Sequence, residues 1–428
     1  MRTGLFLLSA QFPGQRQTEA LERTVSAALA AERVGLDSVW LAEHHFVPYG
    51  VCPDAATLAA LLLGRTRRIG IGTAVSVLST AHPVALGERA ALLHLVSGGR
   101  FTLGVGRGGP WIDLSVFGTG LAAYEEGLPE RLDLLLRWLR GSRVGADGPA
   151  FSFPEVAVVP RATEPPISGP CPSAHGHRQR QPPARSAFPR QRSDSVRPDS
   201  VRPDAVRSEA VRSDAVRPDA VRSEAVRSEA VRAEAMRAEA PGRAAVRPVP
   251  GTGGGPPMVL ACTSRASVRL AAERGLPMLL GMHSGDDDKR EMVAAYREEA
   301  RAAGRSGEQI ARAEAEHVAA GVAQVADSTA EARGMLLATM PEWFRHGLGA
   351  HRTVDGRERR MRDPRDYTEL LCDLHAVGTP QLCADRLRTT AERTGIRRFA
   401  LLVEGSGDRA ATLHNVARLG SEVLPLLR

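Results

Sequence analysis

The sequence predicts an α/β protein, a (β/α)8 TIM barrel carrying a long low-complexity insertion before its fifth strand. Three observations predict it. Short, near-continuous apolar runs alternate with amphipathic segments along most of the 428 residues, the pattern of a parallel sheet covered by helices. Eight such units fill the roughly 335 residues outside one aperiodic stretch, the count a closed barrel needs. Polar groups collect just after run upon run, where a barrel opens its working face. Pattern alone leaves a doubly wound open sheet as the alternative.

The apolar runs read as strands are 4–10, 38–42, 68–78, 101–106, 258–263, 277–282, 317–325 and 397–404. Helical periodicity fills 18–35, 82–99, 130–141, 264–275, 286–304 and 379–395 between them, and several of these segments close on glycine, a common helix end. The start, "MRTGLFLLSAQF", faintly imitates a secretion signal. Its apolar run is short and "PGQRQTEALER" follows instead of a small-residue cleavage site, so it reads as a first buried strand. No segment approaches the ~20 continuous apolar residues that span a bilayer.

A hydrophobic share of 43% suffices for a large core. Net charge is +7, but 56 basic residues are interspersed with 49 acidic ones; without a block of like charge, no nucleic-acid partner is expected. The five cysteines (52, 171, 262, 372 and 383) are scattered and form no CxxC pair. Their odd number and wide spacing argue against a disulfide framework or zinc knuckle and fit a reducing, cytoplasmic location.

The aperiodic stretch defines the organisation: 1–162 as the first half of the barrel (strands one to four), 163–255 as an insertion, and 256–428 as the second half with the C-terminal helix. A Pro/Arg-rich piece leads into a five-residue V-R-x-[DE]-A repeat from Val196 to Ala240. On a helix each successive valine would rotate by about 140°, so no apolar stripe forms. The balanced charges leave little to bury against the entropy of ordering, and disorder is the expectation. A pentapeptide β-helix is the rival, disfavoured because Arg and Asp or Glu fill positions that must stack inside.

The residues just past each strand carry the chemistry. Strand one ends in Ser9 and Gln11, strand two in Glu43, His44 and His45, and strand three in Ser79, Thr80 and His82. Strand four ends in Arg107, strand five in Thr263, Ser264 and Ser267, strand six in Met282 and His283, and strand eight in Glu404. Hydroxyls opening the helix after strand five, with Arg107 on a glycine-rich turn, suggest an anion such as phosphate, although Ser and Thr are also ordinary N-caps. "GVGRGG" (104–109) matches a dinucleotide fingerprint, but "PWIDLSVFGTG" comes where a helix should begin, and the match is set aside. Adjacent strand residues point to opposite faces, so His44 and His45 share one side only if the strand has already ended. No HxH or HExxH spacing supports a metal, and none is assigned. A single histidine suits acid/base work near neutral pH, though a lone histidine is more often solvated or structurally bonded.

Five stretches, "GLDSVWLAEHHF" (35–46), "RIGIGTAVSVLSTAHPVALGERAALLHLVSGGRFTLGVGRG" (68–108), "AAERGLPMLLGM" (271–282), "VGTPQLCADRL" (377–387) and "LLVEGSGDRAATLHNVARLGSEVLPLL" (401–427), resemble the bacterial luciferase-like, flavin-dependent monooxygenases. The likeness spans nearly all of the chain outside the insertion, and "AEHHF" and "TAVSVLSTAHP" resemble the luciferase α-subunit-like branch. The resemblance implies a (β/α)8 barrel, often a homodimer, that holds reduced FMN non-covalently. It also implies reaction with O2 through a C4a-hydroperoxide to oxygenate a small organic substrate. Electrons would come from a separate flavin reductase, or from NAD(P)H. By position His44 resembles the acid/base group. Ala74 and Val75 resemble the ring-contacting end of strand three, often with a non-proline cis peptide. Arg107, Thr263, Ser264 and Arg131 resemble the phosphate grip, and Met282 stands where some members place an aromatic. Gly106 replaces the family's reactive cysteine, and Cys262 reads as packing. Hydride transfer from a deazaflavin or FMN on the same barrel, or a non-catalytic flavin-binding or interaction protein, are the alternatives. Substrate choice would sit in 110–128 and 341–366, which carry no readable code.

Overall fold

Twelve strands organise the described chain: β1 (Arg2–Leu7), β2 (Ser38–Leu41), β3 (Gly70–Thr73), β4 (Ser76–Val77), β5 (Phe101–Gly106), β6 (Arg143–Asp147), β7 (Ser152–Ala157), β8 (Met258–Cys262), β9 (Met278–Leu280), β10 (Val318–Val325), β11 (Ala376–Gly378) and β12 (Arg398–Leu402). They come from a computed structural model that describes residues 1–167, 255–357 and 362–428. The expected disordered insertion and its repeat therefore lie outside the described residues, apart from the edges 163–167 and 255.

Parallel neighbours run β1-β2-β3-β5-β8-β9-β10-β12, and β12 pairs back onto β1. Eight strands thus close the predicted (β/α)8 barrel, and an open sheet is excluded. The expected strand over 68–78 is two pieces. β3 ends at Thr73, the Ala74–Val75 peptide is cis, and β4 resumes alongside β5. Outside the ring, β11 pairs with β10, and β6 and β7 form an antiparallel hairpin that is mostly exposed. Its buried Val144 packs with Trp138, and alternation this weak left the hairpin unread in the sequence.

Inside the barrel, Trp40, Val259, Leu279, Val318 and Ala400 form one apolar plug. Outside, helices bury their stripes against the sheet. In helix Leu128–Arg140, Leu132, Leu135, Leu136 and Leu139 recur at helical spacing and are at most 5% exposed; burying each leucine contributes about 1.5–3 kcal/mol. Several helices start on side-chain caps: Asp54 accepts from the Thr57 amide and Ser264 from that of Ser267. Gly275 (φ 65°) and Gly395 (φ 78°) close two of them in the left-handed conformation that side chains resist.

One buried ion pair stitches the carboxyl end. Glu404, just past β12, accepts from the Leu8 amide (2.7 Å) and the Thr24 hydroxyl (3.0 Å), and faces the Arg23 Nε at 3.6 Å. Burial raises the Glu404 pKa, opposed by the Arg23 charge and these donors. The strand-eight carboxylate is therefore a brace between β1, β12 and helix Gln17–Arg33.

Candidate active site

β2 stops at Leu41, before the polar triplet. The Ala42 amide still reaches the Leu7 carbonyl (3.0 Å), after which the chain leaves the sheet. Glu43 turns sideways: its Oε1 accepts from the Val77 amide (3.0 Å), tying the segment after the cis peptide to β2. The His44 amide donates to the Cys52 carbonyl (2.9 Å), and Phe46 takes a left-handed φ of 62°, rare for an aromatic. Strand alternation no longer governs His44 and His45, so both rings line the same cavity.

That cavity, of about 370 Å3, opens at the carboxyl ends of the strands. Phe6, Leu279, Ala320 and Ala400 line it from within the barrel, and Ala74, Val75, Val77, Ala261 and Met282 extend its apolar wall. Polar groups are few: Glu43, His44, His45, Asp113, Thr263, His283 and His351. A concave apolar space with a handful of convergent polar groups is what small-molecule sites look like.

The electrostatics favour uncharged imidazole. Burial, then the neighbouring charges of His351 and His45, lower the His44 pKa to about 3. Its Nδ1 is buried with no hydrogen-bond partner and lies against Gly50, where a Cβ would fall 2.7 Å from that nitrogen and 2.5 Å from the Leu8 carbonyl. Glycine is thus required beside the ring. Tyr49 meets His44 edge-on at 5.0 Å and stacks on Trp343 at 4.9 Å; the Trp343 indole donates to the Tyr49 carbonyl (3.2 Å). Trp343 is fully buried and also stacks on Phe12 at 5.3 Å. The histidine is therefore seated in a packed aromatic column. His45 Nε2 stands 3.5 Å from Glu43 Oε1. Burial raises the Asp113 pKa, while the Leu114 amide and the charges of His45 and His351 pull it back.

The sequence-derived candidates divide. His44, Ala74, Val75, Thr263 and Met282 line the cavity. Arg107 follows β5 and Thr263 follows β8; these strands are paired with Val105 opposite Leu260, so the two residues stand at adjacent strand ends. The Arg107 guanidinium lies 4.2 Å from the Tyr124 ring centre and its carbonyl accepts from the Ser79 hydroxyl. Ser264 caps helix Arg265–Arg274 beside Thr263. Gly106 lies behind the wall: a Cβ there would meet Val75 Cγ2 at 2.7 Å, so the missing side chain lets the cis segment lie against β5. Arg131 is absent from the cavity wall. Its guanidinium donates to the carbonyls of Ala81 (3.0 Å) and Leu78 (3.4 Å) and lies 5.0 Å from the Phe151 ring centre, which fixes the loop after β4. His82 caps helix Pro83–Val96 through its Nδ1.

Sequence reasoning missed Tyr49, Trp111, Asp113 and His351. Their setting is a zip between distant loops. The Ile112 amide donates to Arg352 (2.8 Å), the Val354 amide to Pro110 (2.9 Å), and Trp111 bridges Thr353. Trp111 and His351, 4.6 Å apart, close the rim. Trp111, Asp113 and His351 fall within 110–128 and 341–366, the loops expected to hold substrate choice, and Tyr49 lies close to "AEHHF"; no pattern singled out the individual residues.

A family model for luciferase-like monooxygenases matches residues 1–176 and 220–398. The chain belongs to the luciferase-like monooxygenase family. This luciferase-like chain is 24% identical over 445 residues to the alkanal monooxygenase alpha chain of the Kryptophanaron alfredi symbiont, covering 100% of this chain and 99% of that protein. Among solved structures it resembles the FMN complex of the oxygenating constituent of 3,6-diketocamphane monooxygenase, a type II Baeyer-Villiger monooxygenase from Pseudomonas putida. The TM-score is 0.62 at 19% identity, over 100% of this chain and 99% of that one. It also resembles an F420-dependent secondary alcohol dehydrogenase with an F420-acetone adduct, at a TM-score of 0.61 and 14% identity, over 100% and 99% of the chains. These structural likenesses show the shared barrel; family membership makes the chain a flavin-dependent oxidoreductase.

Proposed function

We propose that the chain binds reduced FMN non-covalently at the carboxyl mouth and uses it with O2 to oxygenate a small, mainly apolar organic substrate. The observation that carries this reading is a neutral, buried His44 set in the wall of an apolar cavity together with the cis Ala74–Val75 segment.

The residues present fit the cofactor. Ala74, Val75, Val77, Ala261 and Met282 offer apolar surface for a flat ring. Arg107, Thr263 and Ser264, at adjacent strand ends, offer a guanidinium and hydroxyls for a phosphate. Bound there, the reduced flavin supplies the electrons that activate O2. The chain's own groups do the rest. His44, neutral with an unpartnered nitrogen, accepts or returns a proton during turnover. Glu43 holds the Val77 amide and so fixes the wall beside the ring. The zipped loops 110–112 and 352–354 shed water from the cavity. At the rim, Phe46 and Phe117 stand 58% and 46% exposed with ring centres 5.9 Å apart, an apolar approach for the substrate. Exposed Leu61, Leu92 and Val96 on the neighbouring helices Ala55–Arg65 and Pro83–Val96 support a second copy as partner, and a separate flavin reductase would supply the reduced cofactor.

An absorbance titration with FMN and its reduced form, followed by oxygen uptake with reduced FMN, tests the reading. His44→Ala should retain flavin affinity and lose about 100- to 10,000-fold in oxygenation rate. Oxygen uptake no faster than in buffer would refute it, as would turnover with a reduced deazaflavin and none with reduced FMN.

A further inference from the structure

The opposite mouth of the barrel holds a second cavity that the flavin chemistry does not use. It has a volume of about 470 Å3 and sits at the amino ends of four strands: Met258 and Arg398 begin β8 and β12, Pro277 precedes β9, and Thr102 is the second residue of β5. That size falls within the roughly 300–1,000 Å3 typical of small-molecule sites. Its wall combines apolar residues (Leu136, Leu139, Pro256, Leu276) with the guanidinium groups of five arginines.

Most of those cations are already satisfied. Arg274 makes two bonds to Asp133 (2.6 and 2.8 Å) and a third to Glu273 (3.1 Å). Arg312 pairs with Glu308 at 2.8 Å. Arg398 pairs with Glu316, which Arg2 also reaches at 2.7 Å, so the single carboxylate on the described wall is doubly matched.

Arg140 and Arg305 are different. Arg140 has no carboxylate, carbonyl or ring partner among the described residues, and burial together with the nearby Arg305 charge lowers its pKa. Arg305 donates through one terminal nitrogen to the Glu273 carbonyl (2.6 Å), while its Nε is buried without a partner. Arg140 stands in the last turn of a helix, where the helix dipole favours a cation. The dipole accounts for one arginine there. It does not account for two like charges facing one apolar-walled space without an acid between them, an arrangement that costs free energy until an anion enters.

We propose that this cavity is a binding site for a small organic anion, with Arg140 and Arg305 taking its carboxylate or phosphate group and the Leu136–Leu139–Pro256–Leu276 wall taking its apolar body. The site lies at the opposite end of the barrel from His44.

Calorimetric titration of the full chain with 1-naphthoate, 1-naphthyl phosphate and the neutral 1-naphthalenemethanol tests this. At least one anion should bind with a stoichiometry of one per chain and at least about tenfold tighter than the alcohol, the worth of one charge-assisted hydrogen bond. Whichever anion binds tighter identifies the head group. Arg140→Gln and Arg305→Gln should each weaken that anion by about tenfold or more, whereas Arg312→Gln should leave it within about twofold. Ala313→Trp, which fills the cavity from helix Gly307–Glu314, should abolish binding while leaving the FMN titration unchanged. Anions that bind no tighter than the alcohol would overturn the proposal. So would undiminished binding in the two glutamine variants, or, should those fail to fold, undiminished binding in Ala313→Trp.

Discussion

The two mouths of this barrel are built from the same strands and carry opposite chemistry. At the carboxyl mouth the polar groups are sparse and His44 is held neutral. Among the described residues, the only ion pair with both partners fully buried, Arg23–Glu404, lies behind that wall as a brace. At the amino mouth guanidinium groups crowd a cavity of similar size, and two of them lack an acid among the described residues. The difference reflects what each end must do. Strand ends that run into long loops can recruit residues from far along the chain, as Trp111 and His351 show, and exclude water from a reactive site. The other end receives the carboxyl termini of the covering helices, whose dipoles attract cations.

The sharpest way to break the comparison is through the two carboxylates that serve the two ends. Glu404→Ala should destabilise the protein by about 3–5 kcal/mol, because it leaves the buried Arg23 charge and the Leu8 amide uncompensated; urea unfolding measures it. A loss below about 1 kcal/mol would mean that water reaches Arg23 and that the brace is not buried in solution.

A subtler change probes the seat of His44. Gly50→Ala places a methyl group where the His44 ring and the Leu8 carbonyl already lie. It should cut oxygenation by about tenfold or more through misplacement of the ring, with flavin affinity nearly unchanged. Equal activity would show that the ring position is not decisive.

Acid pH should weaken both ends. Burial lowers the pKa of His44 and His317 to about 3 and of His375 to about 4, against about 6.5 unfolded. The unfolded chain therefore takes up these protons first, and stability present above pH 6.5 drains away as pH falls toward about 3. Each histidine contributes up to about 1.4 kcal/mol per pH unit. His317 accepts from the Met278 amide (3.0 Å) at the amino end. His317→Gln should lower stability at pH 7.5 yet flatten the decline toward pH 5, as read from urea midpoints at both values. An unaltered slope would show that His317 is not neutral in the fold.

The smallest effect belongs to Glu316. Its side chain is 40% exposed, so Glu316→Ala should cost within about 1 kcal/mol despite removing contacts to Arg2 and Arg398. The same change should strengthen anion binding at the amino cavity by withdrawing its one negative charge. A stability loss as large as that of Glu404→Ala would erase the distinction between the two mouths.

Much of the carboxyl mouth was legible because strand ends are local events. The strand over 101–106 and the residue after it, Arg107, are announced by one apolar run and its glycine-rich stop. Ala74, Val75 and the cis peptide between them were expected by resemblance, whereas the apolar pattern of 68–78 by itself read as one strand where the structure has β3 and β4. The setting of Arg131 was hidden for a related reason: an arginine on an amphipathic helix gives no sign of which carbonyls its fork will meet. The pairing of 110–112 with 352–354 joins segments more than two hundred positions apart, and neither carries a pattern that names the other.

Amino-acid order alone set the periodicity: eight apolar runs with covering helices, hence a parallel α/β fold, and polar residues at the end of nearly every run; closure of the ring came with the pairing of β12 onto β1. These are properties of a strand and its neighbours within a few residues, which side-chain alternation and capping settle locally. Packing in three dimensions settled which of those polar groups share a cavity, that His44 is neutral, and that Arg140 and Arg305 lack an acid among the described residues. Burial and pairing depend on what other segments bring to the same few ångströms, and that information is spread across the whole chain.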